Sequence, residues 1–206
     1  RAPHLLRQWG YQAKCVVFRD RETYRLTGML APDHPSPPGI AVDLGTSRVV
    51  VRMIDLETLT LPSYLQSLGY VTGHFGKWHL GHLPQFLPTN NGFDTYFGIP
   101  YSNDMDRIAG EGRKAMFEPK IEYFNVPLMR DEEIIERPAD QNTITKRYTQ
   151  EAINFINKSK NKSFFLYLAH NLPHVPLFVS QDFKDKSLRG LYGDVVGEID
   201  WGVGQI

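Results

Sequence analysis

The segment Gly76-Lys77-Trp78-His79-Leu80-Gly81 combines one ammonium group, one imidazole and two glycines within six residues. Two further histidines, His74 and His82, flank it. Lysine supplies a positive point charge and histidine can move protons near neutral pH, so this segment could bind an anion and act on it. The alternative is a structural strand end in which Trp78 packs in the core and Lys77 lies in solvent.

A second pair of histidines, His170 and His174, follows the apolar run 164–169. Residues 70–75 and 164–169 are each predicted to form a strand, the latter a buried central one. If these strands are neighbours, their histidine-bearing loops meet at one edge of the sheet, where open α/β sheets bind ligands. The side chains that would converge there on a tetrahedral oxyanion are Lys77, His79, His170 and His174. For His170 a structural role is the favoured interpretation, and for His174 a structural turn between two prolines is the alternative.

A polar cluster at 103–106 could bind a hard cation through oxygen ligands. It contains Asn103, Asp104 and Asp106, and calcium and magnesium prefer oxygen. No loop spacing typical of such a site accompanies these residues. A solvated turn is therefore the favoured interpretation.

Hydrophobic spacing predicts the elements that position these residues. Residues 59–68 have helical spacing and Gly69 is a helix stop, so a helix should precede strand 70–75. This order indicates a mostly parallel sheet with helices on its faces. Residues 15–18 and 49–51 could form short strands.

The remaining elements are predicted from sequence patterns that are less regular. A hairpin is expected within 126–136, and a helix capped by Asp140 or Asn142 should continue to about residue 157. Residues 192–206 begin an amphipathic helix that the end of the chain truncates. Residues 83–99 are expected to form an ordered, aromatic-rich surface lobe, and 107–120 a flexible excursion.

The composition excludes several classes of protein and site. The 206 residues carry no formal net charge, which predicts no nucleic-acid partner. The single cysteine, Cys15, excludes an internal disulfide and a cysteine-based zinc cluster. No apolar run approaches the roughly 18 residues that span a bilayer, so no transmembrane segment is predicted, and no signal peptide is visible. Nothing in the sequence indicates an oligomeric state.

Five ordered blocks of the sequence resemble the sulfatase family, and most closely its arylsulfatase and N-acetylgalactosamine-6-sulfatase branch. They are residues 69–81, 91–104, 147–149, 164–176 and 192–200. The resemblance runs from about Leu56 to the C-terminus. It implies a divergent or irregular N-terminal segment at 1–55 and the central part of a sulfatase catalytic domain at 56–206.

The resemblance implies an alkaline-phosphatase-like α/β fold, with a mixed, mostly parallel sheet flanked by helices, present here as an incomplete N-terminal domain. It implies hydrolysis of sulfate monoesters, a sulfated small molecule or glycan as substrate, and a periplasmic, secreted or lysosomal location. By motif, Lys77 would grip the sulfate oxygens and His79 would be the base that collapses the sulfated intermediate. His174 would lie on the ester oxygen or the sulfate, and Ser102 would line the substrate side.

The sequence departs from the family in two features. The family nucleophile is a formylglycine made from the first residue of a Cys/Ser-x-Pro-x-Arg motif, and calcium is bound by an Asp-Asp pair. Neither is found: Cys15-Val16-Val17-Phe18-Arg19 lacks the proline, and Ser36-Pro37-Pro38-Gly39-Ile40 lacks the arginine. Calcium is thus implied by the family, but no metal ligand is assigned.

Three hypotheses follow from these departures. The chain is a sulfatase with an incomplete or divergent N-terminal part, a sulfatase-like protein that binds sulfated ligands without turnover, or a product whose first 55 residues are altered.

Overall fold

The computed structural model describes residues 14–20, 23–30, 38–45, 48–55, 59–108 and 112–206. For residues up to 59 and for Lys114 it describes the backbone alone. Ser36 and the side chain of Cys15, which were weighed as nucleophiles, therefore lie outside the described part.

The chain divides into two compact units, Arg1–Pro38 and Gly39–Ile206. In the first, β1 (Lys14–Asp20) and β2 (Thr23–Leu30) form an antiparallel pair. The second contains a three-stranded sheet of β3 (Pro38–Gly45), β4 (Arg48–Asp55) and β5 (Leu59–Thr60). β1 and β4 confirm the strands predicted at 15–18 and 49–51.

A five-stranded mixed sheet forms the centre of the second unit, in the order β10-β6-β7-β8-β9. Its strands are β6 (Val71–Gly76), β7 (Thr95–Gly98), β8 (Leu128–Arg130), β9 (Glu133–Glu136) and β10 (Phe164–Ala169). β10, β6 and β7 run parallel, whereas β8 and β9 are antiparallel. The predicted strands at 70–75 and 164–169 are confirmed as direct neighbours, and so is the hairpin within 126–136.

The prediction that 164–169 is a central strand is wrong for the described part of the chain, because β10 lies at the edge of this sheet. Ala169 is its only buried residue. The strand is apolar along its whole length because both of its faces pack on other residues, and not because it lies at the centre of the sheet. Phe164, Leu166 and Leu168 pack on one core cluster, while Phe165 and Tyr167 pack on another. Both faces of the strand are covered, while β6 is the one strand that pairs with it among the described residues.

β7 was not predicted, because it has only four residues within a loop-rich stretch expected to be a surface lobe. Tyr96 and Phe97 are both buried and pack into different clusters, as alternation along a strand requires. The preceding residues form short 3-10 turns at Pro84–Phe86 and Pro88–Asn91. The expected excursion at 107–120 contains a short helix, α2 (Lys114–Phe117), whose Ala115 is fully buried.

Three longer helices complete the unit: α1 (Leu61–Ser67), α3 (Ile144–Ser159) and α4 (Gly190–Gly204). α3 packs on the sheet through buried Ile144, Tyr148, Ala152 and Phe155. Its N-cap is Thr143, without a side-chain cap hydrogen bond. The prediction of Asp140 or Asn142 is wrong because the Asp140 carboxylate accepts the N–H of Asn142 in the preceding turn, at 3.1 Å.

The carboxylates of α4 hold the segment before it. Glu198 accepts the N–H of Ser180 at 3.0 Å, and Asp194 accepts the N–H groups of residues 185, 186 and 187 at 2.6–3.0 Å. These hydrogen bonds lower the pKa of Asp194, and the hydrogen bond from Ser187 has the largest effect. None of the helices that the structure describes is long and apolar enough to cross a membrane.

Candidate functional site

The loops that carry the predicted site residues leave three adjacent parallel strands at one edge of the sheet. Ala169 at the end of β10 pairs with Gly76 at the end of β6, and β7 pairs with β6 through Phe97 and Phe75. Parallel neighbours point in the same direction, so the segments that follow them begin at the same edge. These segments are 77–82, 99–106 and 170–176.

Main-chain hydrogen bonds fix residues 77–79 between the other two loops. The N–H of Lys77 donates to the carbonyl of Ala169 at 2.7 Å. The next two N–H groups donate to the carbonyls of Ile99 and Pro100, both at 3.0 Å. The start of the Lys77 loop is therefore held from both sides.

Two glycines allow the strands to approach this closely. Gly76 has φ +126°, and a Cβ there would lie 1.9 Å from the carbonyl oxygen of Ala169. A Cβ on Gly98 would lie 1.8 Å from the carbonyl oxygen of Gly76. Neither position can accept a side chain without displacing a neighbouring strand.

The Lys77 loop combines a packed residue with accessible ones. Trp78 is 5% exposed, and its indole N–H donates to the carbonyl of Phe86 at 2.6 Å. Lys77 is half-buried, and His79 is exposed with φ +61°, a left-handed conformation that is uncommon outside glycine. Trp78 thus packs in the core as the structural alternative predicts, but Lys77 is not left in solvent.

The flanking histidines lie in different surroundings. His74 is fully buried among four aromatic rings at 4.9–5.3 Å, those of Trp78, Phe93, Tyr96 and Tyr167. The His170 ring lies 6.2 Å from that of Tyr148, whose pKa is raised by burial. This packing supports the structural interpretation of His170.

The loop after β7 contributes a buried hydroxyl. Ser102 is 3% exposed, and its Oγ has no hydrogen-bond partner within the part of the chain that the structure describes. The next side chain, Asn103, is fully buried and donates from Nδ2 to the carbonyl of Pro176 at 2.9 Å. Asn103 thereby links the Ser102 loop to the His174 loop. Sequence reasoning missed this role, because nothing local signals a partner so far along the chain.

His174 is half-buried, and its ring is oriented by its own loop. Its main-chain N–H donates to the carbonyl of Asn171 at 3.3 Å, and its Nδ1 lies 2.6 Å from the carbonyl oxygen of Val175. A carbonyl oxygen can only accept a hydrogen bond, so Nδ1 must carry the proton that is donated to it. Nε2 is then the nitrogen that can accept a proton or, when protonated, donate one.

The residues weighed as cation ligands do not fit the calcium site that the family implies. The Asp106 carboxylate accepts hydrogen bonds from Arg137 at 2.7 Å and from the Tyr101 hydroxyl at 3.1 Å. No group of three or more His, Cys, Asp or Glu side chains among the described residues could hold a metal ion. The solvated turn expected at 103–106 is wrong for Asn103, which is fully buried.

The edge thus combines an ammonium group, a buried hydroxyl and imidazole nitrogens on three loops that hydrogen bonds hold together. Ammonium, hydroxyl and imidazole groups are hydrogen-bond donors of the kind that suit a tetrahedral anion.

Known proteins provide independent comparisons. A family model described as Sulfatase matches residues 34–206, and so begins before Leu56, where the resembling blocks start. N-acetylgalactosamine-6-sulfatase of Mus musculus is 41% identical in an alignment of 157 residues, and the alignment covers 71% of this chain and 28% of that protein. Arylsulfatase G of Homo sapiens is 37% identical in an alignment of 171 residues, and the alignment covers 74% of this chain and 32% of that protein.

A solved structure agrees with these matches. The crystal structure of the PsFucS1 sulfatase from Pseudoalteromonas sp. is 21% identical with a TM-score of 0.58, over 72% of this chain and 34% of that one. This likeness confirms the predicted alkaline-phosphatase-like α/β fold. The chain spans about a third or less of the length of these proteins. By the extent of the family match, the chain belongs to the sulfatase family.

Proposed function

We propose that the protein is a sulfuric ester hydrolase that cleaves sulfate monoesters of carbohydrate or aryl substrates. The observation that carries this proposal is the parallel pairing of β10, β6 and β7, because it puts three loops at one edge. Those loops contain Lys77, Ser102 and His174. The names of the two curated relatives include both a sulfated sugar and an aryl sulfate activity.

Lys77 and Ser102 bind the sulfate in this proposal. The ammonium group of Lys77 attracts the sulfate oxygens, and half-burial strengthens that attraction because less water screens it. Ser102 lines the substrate side of the site in this proposal, and its buried hydroxyl has no hydrogen-bond partner among the described residues.

The two histidines carry the proton transfers. The sulfuryl group passes from the ester oxygen to a nucleophile that the described residues do not assign, and His174, which lies on the ester oxygen, donates a proton from Nε2 to the departing alkoxide. His79 is the base that takes a proton from the resulting sulfated intermediate as it collapses and releases the sulfate. Sulfatases generally use Ca²⁺, but the described residues do not supply its ligands, so no step is assigned to the ion.

The proposed substrate is a sulfated small molecule or a sulfated glycan. A periplasmic, secreted or lysosomal location is proposed on the resemblance alone.

The second candidate function is a sulfatase-like protein that binds sulfated ligands without turnover. It is favoured by one sequence observation, that no Cys/Ser-x-Pro-x-Arg motif is present in the 206 residues. Loss of a nucleophile typically removes several orders of magnitude of rate while the groups that bind the ligand remain.

Binding of inorganic sulfate tests the anion site that both candidates share. Titration calorimetry with sodium sulfate should give an affinity at least about tenfold weaker for Lys77→Ala than for wild type. Lys160→Ala removes an exposed lysine that follows α3 and is the matched control, with no expected change. Equal affinities of wild type and Lys77→Ala would contradict both candidates.

Hydrolysis of p-nitrophenyl sulfate, with and without calcium, separates the two candidates. Mass spectrometry of the Cys15 and Ser36 peptides reports whether either residue becomes an aldehyde. Turnover together with an aldehyde would contradict the binding protein. Unmodified peptides and no turnover, with sulfate binding that depends on Lys77, would contradict the enzyme.

A further inference from the structure

A groove of about 310 Å³ lies between the five-stranded sheet and α3. This volume is at the lower end of the about 300–1,000 Å³ that small-molecule sites occupy. Its lining residues come from β6, from the start of β7, from the end of β8 and from one face of α3. We call it the α3 groove.

The α3 groove opens at the edge of the sheet opposite the candidate functional site. Val71 and Thr95, which line it, are the first residues of β6 and β7. The loops of the candidate site, by contrast, follow the last residues of these strands. At a rise of about 3.3 Å per residue, the two ends of β6 are about 17 Å apart. A ligand at the mouth of this groove would therefore be separate from an ester bound at the candidate site.

The base of the α3 groove is apolar. Phe75 and Phe155 line it, are 2% and 6% exposed, and have ring centroids 5.5 Å apart. Val71 adds a half-buried aliphatic side chain. These side chains suit an apolar part of a ligand, because removing apolar surface from water is favourable.

The charged lining of the groove consists of three cations and two carboxylates, so its net charge is positive. Arg130 donates two hydrogen bonds to Glu151, at 2.6 and 3.1 Å, and these two charges compensate each other. The Asp94 carboxylate accepts hydrogen bonds from the side chain of Gln66 and from the main-chain N–H and hydroxyl of Thr72. Both carboxylates therefore have donors without using the remaining two cations.

Those two cations are Lys158 and Lys162. Both are exposed, and neither makes an ion pair with another residue that the structure describes. Lys158 lies in the last turn of α3, where the helix dipole attracts a cation, but Lys162 lies beyond the helix. The dipole thus accounts for the first lysine and not for the second. Like charges that line one groove repel each other, and an anion bound between them offsets that repulsion.

The lining also contains an amide with a spare donor. The Oδ1 of Asn154 accepts a hydrogen bond from Gln150 at 3.0 Å. This contact uses the carbonyl oxygen of the amide, so Nδ2 can donate to a ligand.

We propose that the α3 groove is a second ligand site, which binds a small organic anion with an apolar body. Lys158 and Lys162 hold the acidic group, and Asn154 donates a hydrogen bond to it. The apolar body packs on Phe75 and Phe155. This inference does not rest on the proposed function, because none of these residues belongs to the candidate functional site.

Calorimetric titration with 2-naphthoate tests this inference, because its carboxylate is joined to a flat apolar body. The comparison compounds are 2-naphthamide, which has the same body without the charge, and acetate, which has the charge without the body. Wild type should bind 2-naphthoate about tenfold or more tightly than either. Binding of 2-naphthoate that is no tighter than that of a comparison compound would overturn the inference.

Removal of the lysines tests the proposed contacts to the acidic group. Lys158→Ala and Lys162→Ala should each weaken 2-naphthoate binding about threefold to fivefold, and the double variant about tenfold or more. Lys160→Ala is the matched control, because Lys160 is exposed between them and is not among the lining residues. It should leave the affinity unchanged. A double variant that binds 2-naphthoate as wild type does would overturn the inference.

Filling the groove tests the position of the apolar body. Asn154 is exposed and lines the groove, so Asn154→Trp should block it and remove the binding of 2-naphthoate. Asn157→Trp is the matched control, because Asn157 is exposed on the same helix and does not line the groove. Equal binding of 2-naphthoate by the two tryptophan variants would overturn the inference.

Lys77→Ala distinguishes the α3 groove from the candidate functional site. This variant should bind 2-naphthoate as tightly as wild type does, although its affinity for inorganic sulfate is expected to fall. If Lys77→Ala loses 2-naphthoate and the double lysine variant keeps it, the ligand lies at the candidate functional site. The inference then fails while the proposed function does not.

Discussion

The side-chain amide of Asn103 donates a buried hydrogen bond of 2.9 Å to the main-chain carbonyl of Pro176. The two residues are 73 positions apart, and the bond joins the loop after β7 to the loop after β10. Ser102 directly precedes the donor, and His174 lies two residues before the acceptor. This amide therefore helps to set the separation of the two proposed substrate contacts, together with the main-chain hydrogen bonds of residues 77–79.

Asn103→Ala should lower the free energy of unfolding by about 1–3 kcal/mol, because the buried carbonyl of Pro176 loses its donor. Affinity for inorganic sulfate should fall as well, since His174 is no longer held against the Ser102 loop. Urea denaturation and calorimetric titration measure the two effects. Asn154→Ala, which removes an exposed amide on α3, should change stability by less than about 0.5 kcal/mol. Equal losses of unfolding free energy and of sulfate affinity in the two variants would contradict the role of Asn103 in linking the two loops.

Gly76→Ala should be among the most destabilising single changes in this sheet, costing more than about 3 kcal/mol. The added Cβ would meet the carbonyl oxygen of Ala169 at 1.9 Å, on a backbone with φ +126°. Gly69→Ala separates the two causes, because Gly69 has φ +85° but no atom within 4 Å of an added Cβ. It should cost only about 1–2 kcal/mol. Urea denaturation of both variants provides the test, and equal costs would exclude the close approach as the cause.

His79 should show a conflict between stability and ligand binding. Its φ of +61° strains any residue with a Cβ, and glycine relieves that strain. His79→Gly should therefore unfold with a free energy about 1 kcal/mol higher than His79→Ala, while both bind sulfate equally weakly. Thermal or urea unfolding of the pair tests this. A His79→Gly variant no more stable than His79→Ala would show that the loop relaxes without strain.

Asp194 should make stability depend on acid pH. Its carboxylate accepts three main-chain N–H groups, led by that of Ser187, and its pKa is lowered in the folded state. A lowered folded pKa adds stability that is complete above the unfolded value of about 3.9 and is lost as the pH falls through the folded value.

The difference in unfolding free energy between wild type and Asp194→Asn should therefore be largest at neutral pH and shrink below about pH 4. Urea denaturation between pH 7 and pH 3 measures it. Asp200→Asn changes an exposed carboxylate on the same helix, and its difference in unfolding free energy from wild type should not shrink as the pH falls. A constant difference across this range would contradict the role of the Asp194 hydrogen bonds.

The elements that could be predicted are those whose signal is local. β6 and α1 follow from apolar spacing and from Gly69, which has a left-handed φ of +85°. β7 could not be predicted, since four residues carry little periodicity and the strand exists because β6 and β8 pair with it on both sides. Thr143 replaced the expected caps of α3 because the Asp140 carboxylate is used within its own turn.

The candidate site also has features that the sequence predicts locally and features that depend on the tertiary structure. The sequence alone indicated which side chains could bind a tetrahedral oxyanion, because their type and spacing within each loop are local properties: Lys77 and His79 in one segment and His174 in another. Sulfate as the anion and the role of Ser102 came from the resemblance. Their roles stay predictions. Only the tertiary structure decided that β10 and β7 flank β6, that Asn103 joins two of the loops, and that a groove opens between the sheet and α3. Those relationships come from packing and hydrogen bonding between distant segments, and no short window of sequence contains both partners.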